Sequence, residues 1–274
     1  MLNTVYTDNT LLKTIFPKMD HLASDNLYLK IADTPQEIIS AQQLRYQVFY
    51  QEIGAIPTEE MRTLGRDIDP YDPFCHHLLV IDSNDQKVIG TYRILSLDEA
   101  TNHGITLYTE SEFDLSKLKA TGKRIMEVSR SCVLLEYRNR KAINLLWQGI
   151  ADMVIANKID YLVGTPSLHG IDITEHAQAL SYLQAFHMAP EEIRPHTIKN
   201  HYQALPIRDK ESIDIKREFV KLPPLLKGYL RLGAVIGDGA FIDYQFNTVD
   251  VVIIVPIETI DSRYQHHYLH KDEN

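Results

Sequence analysis

The sequence predicts a mixed α/β fold, with helices covering a mixed sheet. Three observations point to it. Strand-like and helix-like segments alternate: strand, helix, hairpin, strand, helix, strand, helix, then a final strand region. The turn "SNDQ" joins the apolar runs "HHLLVID" and "KVIGTYRILS" as a hairpin. "RNRKAINLLWQGIADMVIANK" puts Ile143, Leu146, Trp147, Ile150 and Val154 on one helical face, just before the buried run "IDYLVGTPS". At 274 residues, 44% hydrophobic and 24% charged, the chain can build a full core.

Each element has a local reason. Residues 1–25 are polar and irregular and are expected to form a flexible arm. "NLYLKIA" alternates as a strand. In the next segment Thr34 and Glu37 have capping-box spacing and Pro35 sits in the first turn. Ile38, Ala41, Leu44 (or Arg45), Val48 and Phe49 then recur at helical spacing, and Gly54 can end the helix. "GRDIDPYDPFC" reads as a loop. A short helix and a loop are expected over 98–120, and "GKRIMEVSRSCV" reads as a buried strand. Helices follow at "TEHAQALSYLQAF" and "LPPLLKGYLRLGA", and "VVIIVPI" is the last strand. The second of these helices is either core or a surface that meets a bilayer. A domain over 26–260 and a polar tail over 261–274 complete the expectation.

Charge narrows the function classes. Twenty-eight basic residues against thirty-seven acidic ones leave −9. This is a poor general binder of nucleic acid or anionic lipid, so an anionic partner must meet a local basic patch. No run of about 18 apolar residues is present, so no transmembrane segment is expected, and the first residues lack a signal-peptide pattern. Cys75 and Cys132 stand far apart, which fits a reducing, cytoplasmic setting. The pairs His76-His77 and His266-His267 are strand neighbours that point apart, so no metal is expected there.

The strand at 124–133 raises the functional question. Glu127 and Arg130 interrupt its apolar run, and buried charge is costly unless paired or used. On a regular strand the two face opposite sides. If both serve one site, a β-bulge near Val128–Ser129 is required, splaying the sheet and exposing backbone N–H groups to a ligand. Arg45, Arg93 and the crowded aspartates of the 65–75 loop are the other charged features.

At these residues the chain resembles known families. "LRYQVF", "DIDPYD", "GTYRIL" and "MEVSRSCV" match in order the motifs of bacterial autoinducer synthases, over about residues 44–135. A second resemblance, over about 40–255, is to the ornithine-lipid N-acyltransferases. Its motifs are "FCHHLLVID", "YTESEFDLS", "MEVSRSCV", "LLWQGIA", "GTPSLHG", "LPPLLKGYLRLGA" and "GDGAFIDYQFNT". The resemblance implies a GNAT-like (acyl-CoA N-acyltransferase) fold, a mixed central sheet splayed between its fourth and fifth strands with flanking helices. It also implies transfer of a 3-hydroxyacyl group from acyl carrier protein to the α-amino group of ornithine, giving lyso-ornithine lipid. No cofactor is tightly bound; the acyl-ACP 4′-phosphopantetheine thioester is a co-substrate. The expected setting is the cytoplasm, with the lipid product meeting the inner-membrane surface.

One departure from general GNAT enzymes bears on the donor. Their glycine-rich coenzyme A loop is replaced here by "RNRKAIN", which has no glycine and so cannot bring its backbone as close to a diphosphate. Arg138, Arg140 and Lys141 at a helix start can still hold one phosphate. With Arg124, Lys117, Lys119 and Lys123 they are candidates for the patch that meets an acidic carrier.

The chemistry then assigns expected roles. Glu127 is the candidate general base, and no nucleophile–base pair is apparent, so direct amine attack is expected. Bulge N–H groups, with Ser129 or Ser131, can hold the oxyanion. Arg45, Arg93 and Arg130 either fasten the acidic loop or bind the substrate carboxylate. Phe49 can touch the acyl chain. Asp69, Asp72, Asp238 and Asp243 are candidates for the side-chain ammonium. Other readings stay open: the same donor with another amine such as glycine, lysine or glutamine, acyl-homoserine-lactone synthesis, or a non-catalytic carrier-protein binder.

Overall fold

The computed structural model describes residues 26–138, 140–206 and 209–260. The arm expected over 1–25 and the tail expected over 261–274 lie outside them. The first strand, β1 (Leu27–Ile31), leads into α1 (Pro35–Arg45). Thr34 caps α1: its side chain accepts from the Glu37 N–H, and Glu37 closes the capping box. The helix does not run on to Gly54 as a regular α-helix. Tyr46–Glu52 forms a wide π turn, a local widening that often accompanies functional sites, and Phe49 sits within it.

The hairpin forms as its spacing requires, with β2 (His76–Asp82) paired to β3 (Lys87–Ser96). The charged strand is β4 (Ile125–Val133), followed by α2 (Arg140–Asn157), β5 (Tyr161–Gly164), β6 (Ser167–His169) and α3 (Ala177–His187). Then come α4 (Ile215–Lys221), α5 (Pro224–Arg231), β7 (Val235–Ile236), β8 (Phe241–Asp243), β9 (Thr248–Asp250) and β10 (Ile253–Pro256). The sequence did not foresee α4 or the hairpin β8–β9, whose strands are only three residues long.

Seven strands form the main sheet in the order β1-β2-β3-β4-β5-β10-β7. Among the described strands of this sheet, only β4 and β5 pair in parallel; their neighbours are antiparallel. A second sheet joins β8, β9 and β6. Period-two alternation sorts the core: Leu78 and Val80 join the large cluster with Leu146, Trp147 and Ile150 of α2, whereas Leu79 and Ile81 meet Ala41 of α1. Each fully buried Leu or Ile contributes roughly 1.5–3 kcal/mol. Ile143 departs from the expected stripe and is exposed; Ala142 takes the inward place. On α5, Leu226, Tyr229 and Leu230 are buried, so that face of the helix is core. Among the described residues, no helix is long and apolar enough to cross a membrane.

Candidate active site

The site forms where the main sheet comes apart. β4 and β5 pair only from Ile125–Glu127 against Tyr161–Val163. Just beyond, Gly164 lies so near Val128 that a Cβ would stand 2.6 Å from the Val128 carbonyl oxygen. Only glycine lets the backbones approach this closely before they diverge. On the other edge of β4, Arg93 faces Ser129 and Thr91 faces Cys132, so the register shifts by one residue. The extra residue is accommodated with Arg130 at φ +52°. This is a β-bulge, placed one to two residues later than the sequence suggested. A non-glycine residue in this region stores of order 1–3 kcal/mol, a strain that recurs at functional sites.

The parting opens into a cavity of about 230 Å³. Val128–Ser131 line it from β4 and Gly164–Ser167 from β5 and β6. The rest of the lining is of two chemical kinds. Phe49, Ile53, Pro223, Leu225 and Leu226 are apolar, whereas Arg130, Asp243, Thr248 and Asp250 are polar or charged. Tyr92 and Tyr229 also line it, hydroxyl to hydroxyl. The guanidinium of Arg130 lies 4.6 Å from the Tyr108 ring centroid and 4.7 Å from that of Phe246, so two aromatic faces fix it.

Most of the expected arginine and aspartate ligands lie elsewhere. Arg45 is fully buried and bonds Asp67 at 2.7 Å and Asp72 at 2.7 Å. Arg93 bonds Asp69 at 2.5 Å, Asp72 at 3.1 Å and the Ser129 hydroxyl at 3.1 Å. Arg130 completes the set, with Asp69 at 3.2 Å and Asp67 at 3.5 Å. The Gln42 amide and the Tyr50 hydroxyl donate to Asp72 and Asp67. Three guanidinium groups thus meet three carboxylates and fasten the 65–75 loop to the sheet. Burial alone would raise Asp72; Arg45, with Arg93 and Gln42, outweighs it and holds Asp72 at about 2. Of the two expectations for Arg45 and Arg93, the loop-fastening one is what the structure shows; with Asp69 and Asp72 they form a paired network, and none of the four lines the cavity. Arg130 belongs to both.

Glu127 is also displaced from its expected role. It is 1% exposed and stands outside the cavity lining. Its carboxylate accepts the Thr109 backbone N–H at 2.6 Å, which ties the 107–111 turn to β4. Burial raises its pKa, against the pull of Thr109. Its side chain is taken up by the Thr109 turn instead of the cavity wall. The contact the structure shows for it is the Thr109 backbone N–H. Asp238 sits in the "GDG" turn, bonded to the Tyr202 hydroxyl at 3.2 Å, and also outside the cavity. Gly239 in that turn packs so close to Tyr202 that a Cβ would stand 2.6 Å from its ring.

The basic residues do not form one patch. Arg124 precedes β4 and bonds the Asn157 carbonyl, whereas Arg138 follows β4. Nine strand residues separate them by roughly 30 Å at about 3.3 Å per residue. Arg138 pairs with Glu52 and donates to the Val133 carbonyl at 2.9 Å. Lys117, Lys119 and Lys123 face Glu191, Glu110 and Asp160. Lys141 is exposed in the first turn of α2; the expectation for the Arg140 side chain lies outside the described residues.

Two carboxyl groups at the site were missed. Glu112 and Asp250 stand with Asp243, their oxygens all within 4.8 Å of one another. Burial raises Glu112 well above the usual range, with Asp250 and Asp243 adding repulsion. Burial also raises Asp250, to about 7, with Ser167 opposing and Asp243 adding to the rise. The signal was present: "NTVDVV" puts an aspartate in an apolar run, as "MEVSRS" does a glutamate. Burial pushes both thiols, Cys75 and Cys132, up to about 12. Neither is a thiolate near neutrality, which disfavours a cysteine acyl-enzyme.

Comparison with known proteins follows the same lines. Residues 44–148 match the model of the acetyltransferase (GNAT) domain. An L-ornithine N(alpha)-acyltransferase of Rhizobium meliloti (strain 1021) is 40% identical over 250 residues, 89% of this chain and 84% of that one. Its counterpart in Rhodobacter capsulatus is 35% identical, over 89% of this chain and 95% of its own. A solved N-acyl amino acid synthase from uncultured soil microbes overlays with TM-score 0.43 at 13% identity, over 85% of this chain and 91% of that one.

Proposed function

The chain belongs to the L-ornithine N(alpha)-acyltransferases, and from that premise we propose that it acylates the α-amino group of ornithine with a 3-hydroxyacyl group taken from acyl carrier protein. The product is a lyso-ornithine lipid. The observation that carries the reading is the parted, bulged strand. It gives one cavity an exposed backbone edge, apolar walls and a charged wall, which a thioester, an acyl chain and a dibasic amino acid need in turn.

The α-amine attacks as the free base. Its lone pair forms the N–C bond, and in this reading the carbonyl oxygen gains charge that backbone N–H groups of the bulge receive. The C–S bond then breaks, the sulfur leaves with the electron pair, and the proton given up by the amine ends on the thiol. No acyl-enzyme is formed. Phe49, Ile53, Leu225 and Leu226 offer the acyl chain its apolar surface.

Support for a carrier-protein donor comes from the glycine-free 138–144 segment, which suits a single phosphate better than a nucleotide diphosphate. The setting of the reading is cytoplasmic, with the lipid product passing to the inner-membrane surface. The test is thiol release from 3-hydroxyacyl carrier protein with a panel of amines, the products identified by mass. Release with ornithine, giving an α-amide, is expected. Release with a different amine alone would move the enzyme to another acceptor. If no amine on the panel triggers release while the carrier still binds, a binding module is left.

A further inference from the structure

One wall of the cavity gathers carboxyl groups that burial and mutual repulsion push toward their protonated forms. Glu112 and Asp250 are 3% and 4% exposed. Each keeps one oxygen, Glu112 Oε2 and Asp250 Oδ1, without a hydrogen-bond partner. A desolvated acceptor left unpaired is destabilising, and native proteins rarely keep one without a use. Here Asp243 and Asp250 line the cavity, and Glu112 stands behind them with a carboxyl oxygen within 4.8 Å of theirs. Asp243 directs its Oδ1 to the backbone N–H groups of Gln245 and Phe246. The cation facing the group is Arg130, and Asp67 and Asp69 already hold it.

We propose that Glu112, Asp243 and Asp250 receive the side-chain ammonium of the acceptor amino acid, and that this contact decides which of its two amines is acylated. The inference rests on the reading of the chain as an ornithine N-acyltransferase. An ammonium brings three N–H donors and one positive charge, the complement of three converging carboxyl groups. Held there, it keeps its proton, because adjacent negative charge favours the charged form. A protonated nitrogen has no lone pair and cannot attack the thioester. The acceptor's carboxylate can face Arg130, which lines the cavity as well as pairing with Asp67 and Asp69. Both non-reacting charges are then anchored, and the α-nitrogen alone is free to lose its proton and react.

The test compares L-ornithine with L-norvaline, which has the same carbon chain without the side-chain ammonium. Both kcat/KM and calorimetric binding are measured for wild type, Glu112→Gln, Asp250→Asn and the double variant. The wild type should favour ornithine by about 100-fold or more, chiefly through KM. The variants should lose most of that preference, while norvaline loses far less. Tandem mass spectrometry should show side-chain amide emerging beside the α-amide as the cluster is neutralised. Thermal melts identify a variant that fails to fold, and either single variant then carries the comparison.

An unchanged ornithine-to-norvaline ratio in folded variants would overturn the inference while leaving the ornithine reading intact. Equal loss of both amino acids would overturn it too, since the cluster would then serve the reaction or the fold generally. Stabilisation by Mg²⁺ or Ca²⁺ alone, lost in the variants and competitive with ornithine, would make it a metal site instead. Conversely, if wild type acylates neither amino acid yet binds ornithine in a cluster-dependent way, the receptor stands and the acyltransfer reading falls.

Discussion

Two buried groups of charge lie close together in this protein and behave in opposite ways. In the first, Arg45, Arg93 and Arg130 meet Asp67, Asp69 and Asp72. Its charges balance, and its members Asp69 and Asp72 are pushed down in pKa. In the second, Glu112, Asp243 and Asp250 have no such balance, and Glu112 and Asp250 are pushed up. The first is sealed into the fold apart from Arg130; the second opens on the cavity through Asp243 and Asp250. A balanced buried network is a finished structure, whereas an unbalanced one at a cavity waits for a charge from outside. Sequence proximity to a motif does not separate the two cases; charge balance does.

The most severe challenge to this contrast is to unbalance the finished network. Arg45→Met leaves Asp67 and Asp72 without their shared cation, and removing one partner of a buried pair costs roughly 3–5 kcal/mol. For a chain of this size that is a fall of roughly 6–20 °C in Tm, with activity lost in step with folding. Thermal melts and ornithine turnover measured together check it. Asp250→Asn should do the reverse. At pH 8 it removes a buried like charge and should raise Tm by roughly 2–6 °C. At pH 4 it should change little, because Asp250 already holds a proton there. Ornithine turnover should fall in either case.

The same contrast sets the pH dependence of the empty protein. Asp72 is held at about 2 in the fold, against about 3.9 unfolded. Its contribution to stability is present above about pH 4 and lost as pH falls through about 2. Asp250 is raised to about 7, facing Glu112, Asp243 and Arg130. Its contribution is present below about pH 4 and lost as pH rises through about 7. Melts across pH 3–9 should therefore show stability declining between about pH 4 and 7, and Asp250→Asn should flatten that decline. A smaller effect is expected at the aromatic clamp. Phe246→Leu removes one of two rings under Arg130, worth about 0.5–1 kcal/mol, so KM for ornithine should rise about two- to fivefold. The smallest belongs to Cys75→Ser. With its thiol protonated near neutrality, kcat should stay within about twofold.

Much of the fold was legible because local chemistry decided it. Thr34 and Glu37 announce the start of α1, "SNDQ" announces the hairpin, and the charge inside "MEVSRSCV" marks the strand that carries the bulge. The hairpin β8–β9 was not legible. Its strands are three residues each, and "AFIDYQFNT" shows no run long enough to establish a period. The site was legible in part. Arg130, Phe49 and Asp243 line the cavity, but Glu127 does not, since the Thr109 N–H from a distant turn takes up its carboxylate. Whether the three arginines bind loop or ligand depended on where residues 65–75 come to rest, which no spacing encodes. Asp250 obeyed the same rule that singled out Glu127, a carboxylate within an apolar run. Glu112 gave no such sign: in "TESEFD" it looks like a surface residue, and only the fold buries it.

The claim that the unbalanced cluster awaits the acceptor's charge has a direct measurement: ornithine binding by calorimetry at pH 6.5 in two buffers of different ionisation enthalpy. If the ammonium settles among Glu112, Asp243 and Asp250, binding must displace protons held there. About one proton should be released per ornithine, and Asp250→Asn should reduce that release. Binding with no proton release, or with release unchanged in the variant, would refute the claim.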